Sequence, residues 1–231
     1  MTTIFVPAPT QHLPMTQVSL ATLVAGVLSG DCLVSFPTDT VPALAARPDR
    51  AELIFAAKQR SPEKPLILMG ATPECLWPFV MGRVEEWQVW KQVAEQHWPG
   101  ALTLVLPASD RLPPAMNPAD PTTIGLRVPN QAIAQQILQQ TGPLATTSAN
   151  HSGQPPLQTM TEIEAQFPDV LILQPSQPES LDSLNSELAN TLAVPETAAT
   201  KSVLGVPSTV AKWTGSSWTI LRQGAVKLEN V

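Results

Sequence analysis

The stretch CLVSFPTDTVPALAARP, residues 32–48, decides the fold. CLVSF (32–36) is a short apolar run with a β-branched and an aromatic residue, which predicts a buried strand. Thr38, Asp39 and Thr40 stand directly at its end. Pro42 and Pro48 then keep the chain out of a regular helix and hold it extended. A core strand that delivers small polar residues at its tip is how open α/β sheets build ligand sites.

Working outward, strands and helices alternate. TQVSLATLVAGVLSG (16–30) carries Leu20, Leu23, Val24, Val27 and Leu28 at helical spacing, with Gly30 to stop it. Asp49 and Glu52 have capping-box spacing ahead of a helix over 50–58. PLILM (65–69) is a strand. RVEEWQVWKQVAEQHW (83–98) is a helix with Val84, Trp87, Trp90 or Lys91, Ala94 and Trp98 on one face. ALTLVL (101–106), TIGLRV (123–128), PLATTS (143–148) and VLILQ (170–174) are further strands; helices fill 131–140 and about 160–166. Residues 202–213 and 218–224, around the turn TGSS, read as a closing hairpin. Residues 175–200 read as a polar loop excursion; Glu179, Asp182 and Glu187 belong to it. The prediction is one α/β domain over 1–231, built on a mixed, twisted sheet with flanking helices.

Composition bounds the function. The net charge is −6 and only 14% of residues are charged, which excludes a surface that binds nucleic acid all over. Cys32 and Cys75 lie beside apolar segments and read as reduced thiols. The first residues lack the basic and apolar regions of a secretory signal, and no apolar run approaches the roughly 20 residues of a membrane span. The expected location is the cytoplasm. His12, His97 and His151 have no metal-ligand spacing, so no metal site is expected. The Rossmann and P-loop glycine patterns do not occur.

Clusters of small polar and cationic residues stand at strand ends: PTDT (37–40), KQRSPEKP (58–65), TIGLR (123–127), TTSANHSG (146–153), and PSTV (207–210) with LRQG (221–224). Lys58 and Arg60 at a helix end either complement the helix dipole or clamp a polyphosphate; taken alone, the dipole reading wins. Thr146 to Asn150 contains no long side chain, and Ser148 with Asn150 fits an anion nest as well as a plain turn. Arg127 and Arg222, in apolar strands, either snorkel to solvent or meet a carboxylate.

In this order, FPTDTVPALA, KQR with KPL, WPGALTLVL, TIGLRVP, TTSANHSGQP and PSTV with ILRQG resemble the YrdC-like family of L-threonylcarbamoyladenylate synthases, in its single-domain form. The resemblance spans about residues 16–226, and its specific marks are Lys58/Arg60 and Ser148/Asn150. It implies a twisted sheet around a large, positively lined central cavity. It also implies synthesis of threonylcarbamoyl-AMP and pyrophosphate from ATP, L-threonine and bicarbonate, for tRNA threonylcarbamoyladenosine modification. Mg²⁺ is expected with ATP, and downstream tRNA-modifying transferase proteins are the implied partners. By the same resemblance Lys58 and Arg60 are catalytic, and Thr38 and Arg127 contact threonine. Lys58, Arg60, Thr123, Thr146, Ser148, Asn150, Pro156, Ser208 and Arg222 contact the nucleotide. The sequence departs from the family at Pro42 and Ala43, where an aromatic residue and a glycine are usual, and at Met69, where a histidine is frequent. Those departures keep open a paralogue acting on another nucleotide or carbamoyl substrate, and the cations Lys58, Arg60 and Arg127 leave a third reading, a non-catalytic module with weak RNA binding.

Overall fold

In the computed structural model, residues 16–174 and 205–228 are described. The expected excursion over 175–200 lies outside the described residues. The strands form one sheet of ten, in the order β1-β8-β2-β3-β7-β4-β6-β5-β9-β10. Their ranges are β1 Gln17–Val18, β2 Val34–Phe36, β3 Ala43–Ala46, β4 Ile67–Met69, β5 Leu102–Pro107, β6 Thr123–Arg127, β7 Leu144–Ser148, β8 Leu171–Leu173, β9 Thr209–Trp213 and β10 Trp218–Arg222. Parallel pairs (β1·β8, β2·β8, β4·β6, β5·β9) mix with antiparallel ones, as expected of a mixed sheet.

The helices follow local chemistry. Helix α1 (Leu20–Ser29) starts where the Ser19 side chain accepts from the Thr22 N–H at 3.2 Å, and ends at Gly30 with φ 82°. The sequence reading began this helix at residue 16, but Gln17 and Val18 instead add a strand beside β8. The capping box expected at Asp49 is absent. Arg47 grips that carboxylate through two hydrogen bonds of 3.0 and 2.6 Å, so a 3₁₀ turn (Pro48–Arg50) precedes α2 (Glu52–Lys58). A short α3 (Pro73–Leu76), not foreseen from the sequence, leads to α4 (Val84–His97). Trp90 and Ala94 are buried in α4 as expected, but Val84 is exposed. α5 (Ala132–Thr141) and α6 (Met160–Gln166) complete the helices of the described residues.

Strand β3 was legible only as an extended segment. ALAA has weak strand propensity, yet all four residues are buried. Two antiparallel neighbours hold it, β2 on one side and β7 on the other. Pro42 sits just before the ladder, where its missing N–H is no loss, and its carbonyl accepts from Ala149 N–H at 2.9 Å.

The centre of the sheet has two chemically distinct faces. Leu68, Leu102, Leu104, Leu106, Leu126 and Ala211 point to one side and pack with Ile54, Trp90, Val93 and Trp98 into the main core. Their alternate neighbours point the other way. Ile67 and Met69, Thr103 and Val105, Thr123 and Gly125, Thr146 and Ser148, Val210 and Lys212 line a cavity of about 460 Å³. Period-two alternation thus makes one surface a core and the other a site.

The far wall of that cavity is closed by a backbone contact that only glycine allows. A Cβ on Gly224 would fall 2.2 Å from the Pro207 carbonyl oxygen and 2.5 Å from Thr209 N. Gly224 N–H also donates to Thr209 Oγ1 at 3.0 Å. Gly224→Ala is expected to destabilise the protein by about 1–3 kcal/mol, the usual cost of forced overpacking. The midpoint of urea unfolding at unchanged slope measures it.

Candidate functional site

The cavity collects residues from β3, β4, β5, β6, β7, β9 and β10. Of the positions named from sequence, Thr38, Arg60, Thr123, Arg127, Thr146, Ser148, Pro156, Ser208 and Arg222 all line it. Lys58 and Asn150 do not; they sit behind the wall.

Lys58 is 1% exposed. Its Nζ donates to the Ser148 carbonyl and, at 3.2 Å, to Asn150 Oδ1. Asn150 is saturated: Oδ1 also accepts from the Ser148 hydroxyl at 2.6 Å, and Nδ2 donates to the carbonyls of His151 at 2.9 Å and Gln154 at 2.6 Å. The Ser148–Asn150 turn is therefore a rigid unit with an ammonium group underneath. Burial, with the nearby charges of Arg60 and then Lys64, lowers the Lys58 pKa to about 7. Arg60, beside it, reaches the cavity and donates to the carbonyls of Lys64 at 2.9 Å and Pro65 at 3.0 Å.

At the opposite wall Arg127 is 4% exposed and makes three bonds with the protein. Nε donates to the Gly100 carbonyl at 3.1 Å, Nη1 to Thr40 Oγ1 at 2.8 Å and Nη2 to Asp39 Oδ1 at 2.7 Å. Two of the five N–H groups of a guanidinium remain after these bonds. Both Thr38 and Thr40 are buried. The Thr38 hydroxyl donates to the Val41 carbonyl at 2.7 Å and accepts from Thr40 N–H at 3.2 Å. The PTDT segment is thus a turn closed by its own hydroxyls, and it hands Asp39 to Arg127. Met69 lies beside Arg127 in register, and Ala43, which also lines the cavity, pairs with Ser148 on β7.

The third wall is the closing hairpin. Arg222 donates to the Ser208 carbonyl at 3.0 and 2.8 Å and to its hydroxyl at 3.2 Å. The Ser208 and Thr103 hydroxyls are 2.9 Å apart. Neighbouring Asp120 accepts from the Thr122 hydroxyl, from Thr122 N–H at 3.2 Å and from the Thr123 hydroxyl at 3.2 Å. These bonds, Thr122 first, lower its pKa.

Arg60, Arg127, Lys212 and Arg222 face the cavity against two carboxylates, Glu63 and Asp120. The site is thus net cationic inside a chain of net charge −6. Sequence reasoning missed Thr103, Asn117, Asp120 and Lys212 as lining residues. Thr103 and Lys212 had a signal, since each alternates with apolar core residues along its strand. Asn117 and Asp120 had none, because they come from a proline-bounded loop.

Comparisons with known proteins bear on the family and the fold. A family model for Sua5, YciO and YrdC, described as telomere recombination, matches residues 26–184. The chain belongs to the Sua5/YciO/YrdC family. A threonylcarbamoyl-AMP synthase of Vibrio campbellii is 35% identical over 147 residues, covering 61% of this chain and 77% of that protein. A structure of P. abyssi Sua5 superposes with a TM-score of 0.73 at 28% identity, over 90% of this chain and 57% of that one. P. abyssi Sua5 complexed with L-threonine gives a TM-score of 0.69 at 28% identity, over 89% of this chain and 54% of that one. This chain therefore spans little more than half the length of P. abyssi Sua5.

Two predictions follow from the charges of this Sua5/YciO/YrdC site. Asp39→Ala leaves the Arg127 guanidinium buried without its carboxylate; the two side chains are 14% and 5% exposed. The expected loss is about 3 kcal/mol of stability, and the double variant Asp39→Ala/Arg127→Met should recover much of it, because the stranded charge is then gone. Urea unfolding of both variants checks this. For Lys58, the unfolded chain holds the proton up to the ordinary lysine pKa of 10.5 while the native site releases it from about 7. Between those values the unfolded state binds more protons, so native stability rises with pH, by at most about 1.4 kcal/mol per unit. Lys58→Met should remove this rise, which unfolding midpoints from pH 7 to 9.5 will reveal.

Proposed function

We propose that this protein makes threonylcarbamoyl-AMP from L-threonine, bicarbonate and ATP, with release of pyrophosphate, for threonylcarbamoyladenosine modification of tRNA. The observation that carries the reading is the single cavity that joins Arg60 and the Ser148 turn, Arg127, and Ser208 with Arg222 on one face of the sheet. The threonylcarbamoyl-AMP synthase relatives and the fold shared with L-threonine-bound P. abyssi Sua5 support it.

The chemistry suits these residues. The threonine amine condenses with bicarbonate to a carbamate and water. A carbamate oxygen then attacks the α-phosphorus of ATP, the bond to the β-phosphate oxygen breaks, and pyrophosphate leaves. The protein's part is to position the reactants and offset the developing charge. Arg60 lies against the triphosphate, and Lys58 adds its charge through the turn it supports. Thr123, Thr146, Ser148, Asn150, Pro156, Ser208 and Arg222 form or brace the nucleotide side. Thr38 and Arg127 shape the threonine side, with the two remaining guanidinium N–H groups for the carboxylate. Mg²⁺ would come with ATP and offset phosphate charge, with Glu63 and Asp120 the carboxylates that line the cavity. The product passes to tRNA-modifying transferase proteins in the cytoplasm. Among the described residues no helix is long and apolar enough to cross a membrane.

A second reading is a paralogue acting on another nucleotide or carbamoyl substrate, favoured by Met69, which makes the wall beside Arg127 apolar. One experiment separates the two. Pyrophosphate release from ATP is measured with and without bicarbonate, and with L-threonine or other small amino acids in turn. The synthase reading expects turnover that needs both bicarbonate and L-threonine. Turnover indifferent to threonine, or faster with another amino acid, would sink it in favour of the paralogue.

A further inference from the structure

Asn117 is a cavity residue whose chemistry the reaction scheme does not use. It follows a 3₁₀ turn (Pro114–Met116) and is 4% exposed. The turn is tied to the sheet where Leu66 N–H donates to the Met116 carbonyl at 3.0 Å. The orientation of the Asn117 amide is fixed by chemistry. Its nitrogen lies 3.1 Å from the Thr123 carbonyl oxygen, which can only accept. A second, longer bond runs from Nδ2 to the Thr123 hydroxyl at 3.4 Å. With Nδ2 committed, Oδ1 is the free end. Among the described residues Oδ1 takes no hydrogen bond, yet it is not one of the sealed, unpartnered polar atoms. Asn117 lines the cavity.

The surroundings select the ligand group. Val105, Val210 and Leu221 offer apolar faces to this end of the cavity. Asp120, tied to Thr122 and Thr123, sets its charge against that of nearby Lys212. The Ser148 turn on β7 and the Val210 and Lys212 side chains on β9 are separated by β4, β6 and β5. Four strand spacings give roughly 19 Å, enough to lay an extended nucleoside triphosphate across the sheet. Phosphates at the Arg60 end then place the base at the Asn117 end.

We infer that Asn117 Oδ1 accepts a hydrogen bond from the exocyclic amino group of the adenine base, which makes Asn117 a determinant of nucleobase specificity. The inference rests on ATP as the nucleotide of the proposed reaction. A 6-carbonyl purine would set an acceptor against this acceptor and leave both unsatisfied.

The test is a binding cycle that does not depend on turnover. Dissociation constants for ATP, purine riboside triphosphate (no 6-amino group) and inosine triphosphate are measured by calorimetry, for the wild type and for Asn117→Ala. The wild type should bind purine riboside triphosphate about tenfold more weakly than ATP, and inosine triphosphate more weakly still. In Asn117→Ala the ATP preference over purine riboside triphosphate should shrink to about unity, which isolates the pair. Equal wild-type affinity for ATP and purine riboside triphosphate overturns the inference, even if the variant does not fold. So does a preference that survives in a folded variant. Selective ATP binding without threonine-dependent pyrophosphate release would instead overturn the synthase reading and leave the base contact standing. No binding of any of the three overturns both.

Discussion

Burying a guanidinium in a sheet demands partners for its N–H groups, and Arg127 at the end of β6 finds them in two separate turns of the chain. It takes the Gly100 carbonyl from the turn before β5, and Asp39 and Thr40 from the turn after β2. Thr40 in turn accepts from Gly205 N–H at 2.8 Å, at the approach to β9. The guanidinium thus ties the turns after β2 and before β5 to β6, and the Thr40 backbone carbonyl ties in the approach to β9. Removing the guanidinium would cost more than a hydrogen bond, because the geometry of the mouth is defined by what Arg127 holds.

The same economy explains how an acidic protein can carry a net cationic cavity. Charge on the surface is spread thinly, and exposed pairs such as Arg47–Asp49 and Arg50–Glu52 do little beyond local bracing. The cavity instead concentrates cations against low-dielectric walls, where each acts with less screening. Net charge is a statement about the whole surface, whereas recognition depends on the local sign.

How much could be read from the sequence divides along physical lines. Long elements with clear periodicity, such as α1, α4 and the strands of TIGLR and ALTLVL, were legible because apolar spacing dictates which face is buried. β3 was not, since ALAA carries no strand propensity and owes its state to two neighbours distant in sequence. Asp49 misled because a nearby arginine outcompetes a backbone N–H for a carboxylate. At the site, cavity residues on strands followed from alternation and resemblance. Asn117 and Asp120 did not, because a proline-rich loop has no period to read. Asp39 stood in the sequence beside Thr38, but nothing there showed that its partner would be Arg127, 88 positions away.

The hydrogen bonds at the Ser148–Asn150 turn also decide how its motif works. Asn150 spends both donors and its acceptor inside the protein, and the Ser148 hydroxyl gives its proton to Asn150. Neither side chain is then free to donate to a phosphate while this network stands. What the turn can offer is its shape, its remaining backbone N–H groups and the charge of Lys58 below. Burial lowers the Lys58 pKa to about 7, so its charge is sensitive to what lies nearby. Polyphosphate in the cavity would favour the charged form, so nucleotide binding and proton uptake belong to one equilibrium. On the proposed function Lys58 would need no direct contact with the ligand: the turn would hold its charge close to bound phosphates, and those phosphates would keep the proton on the lysine.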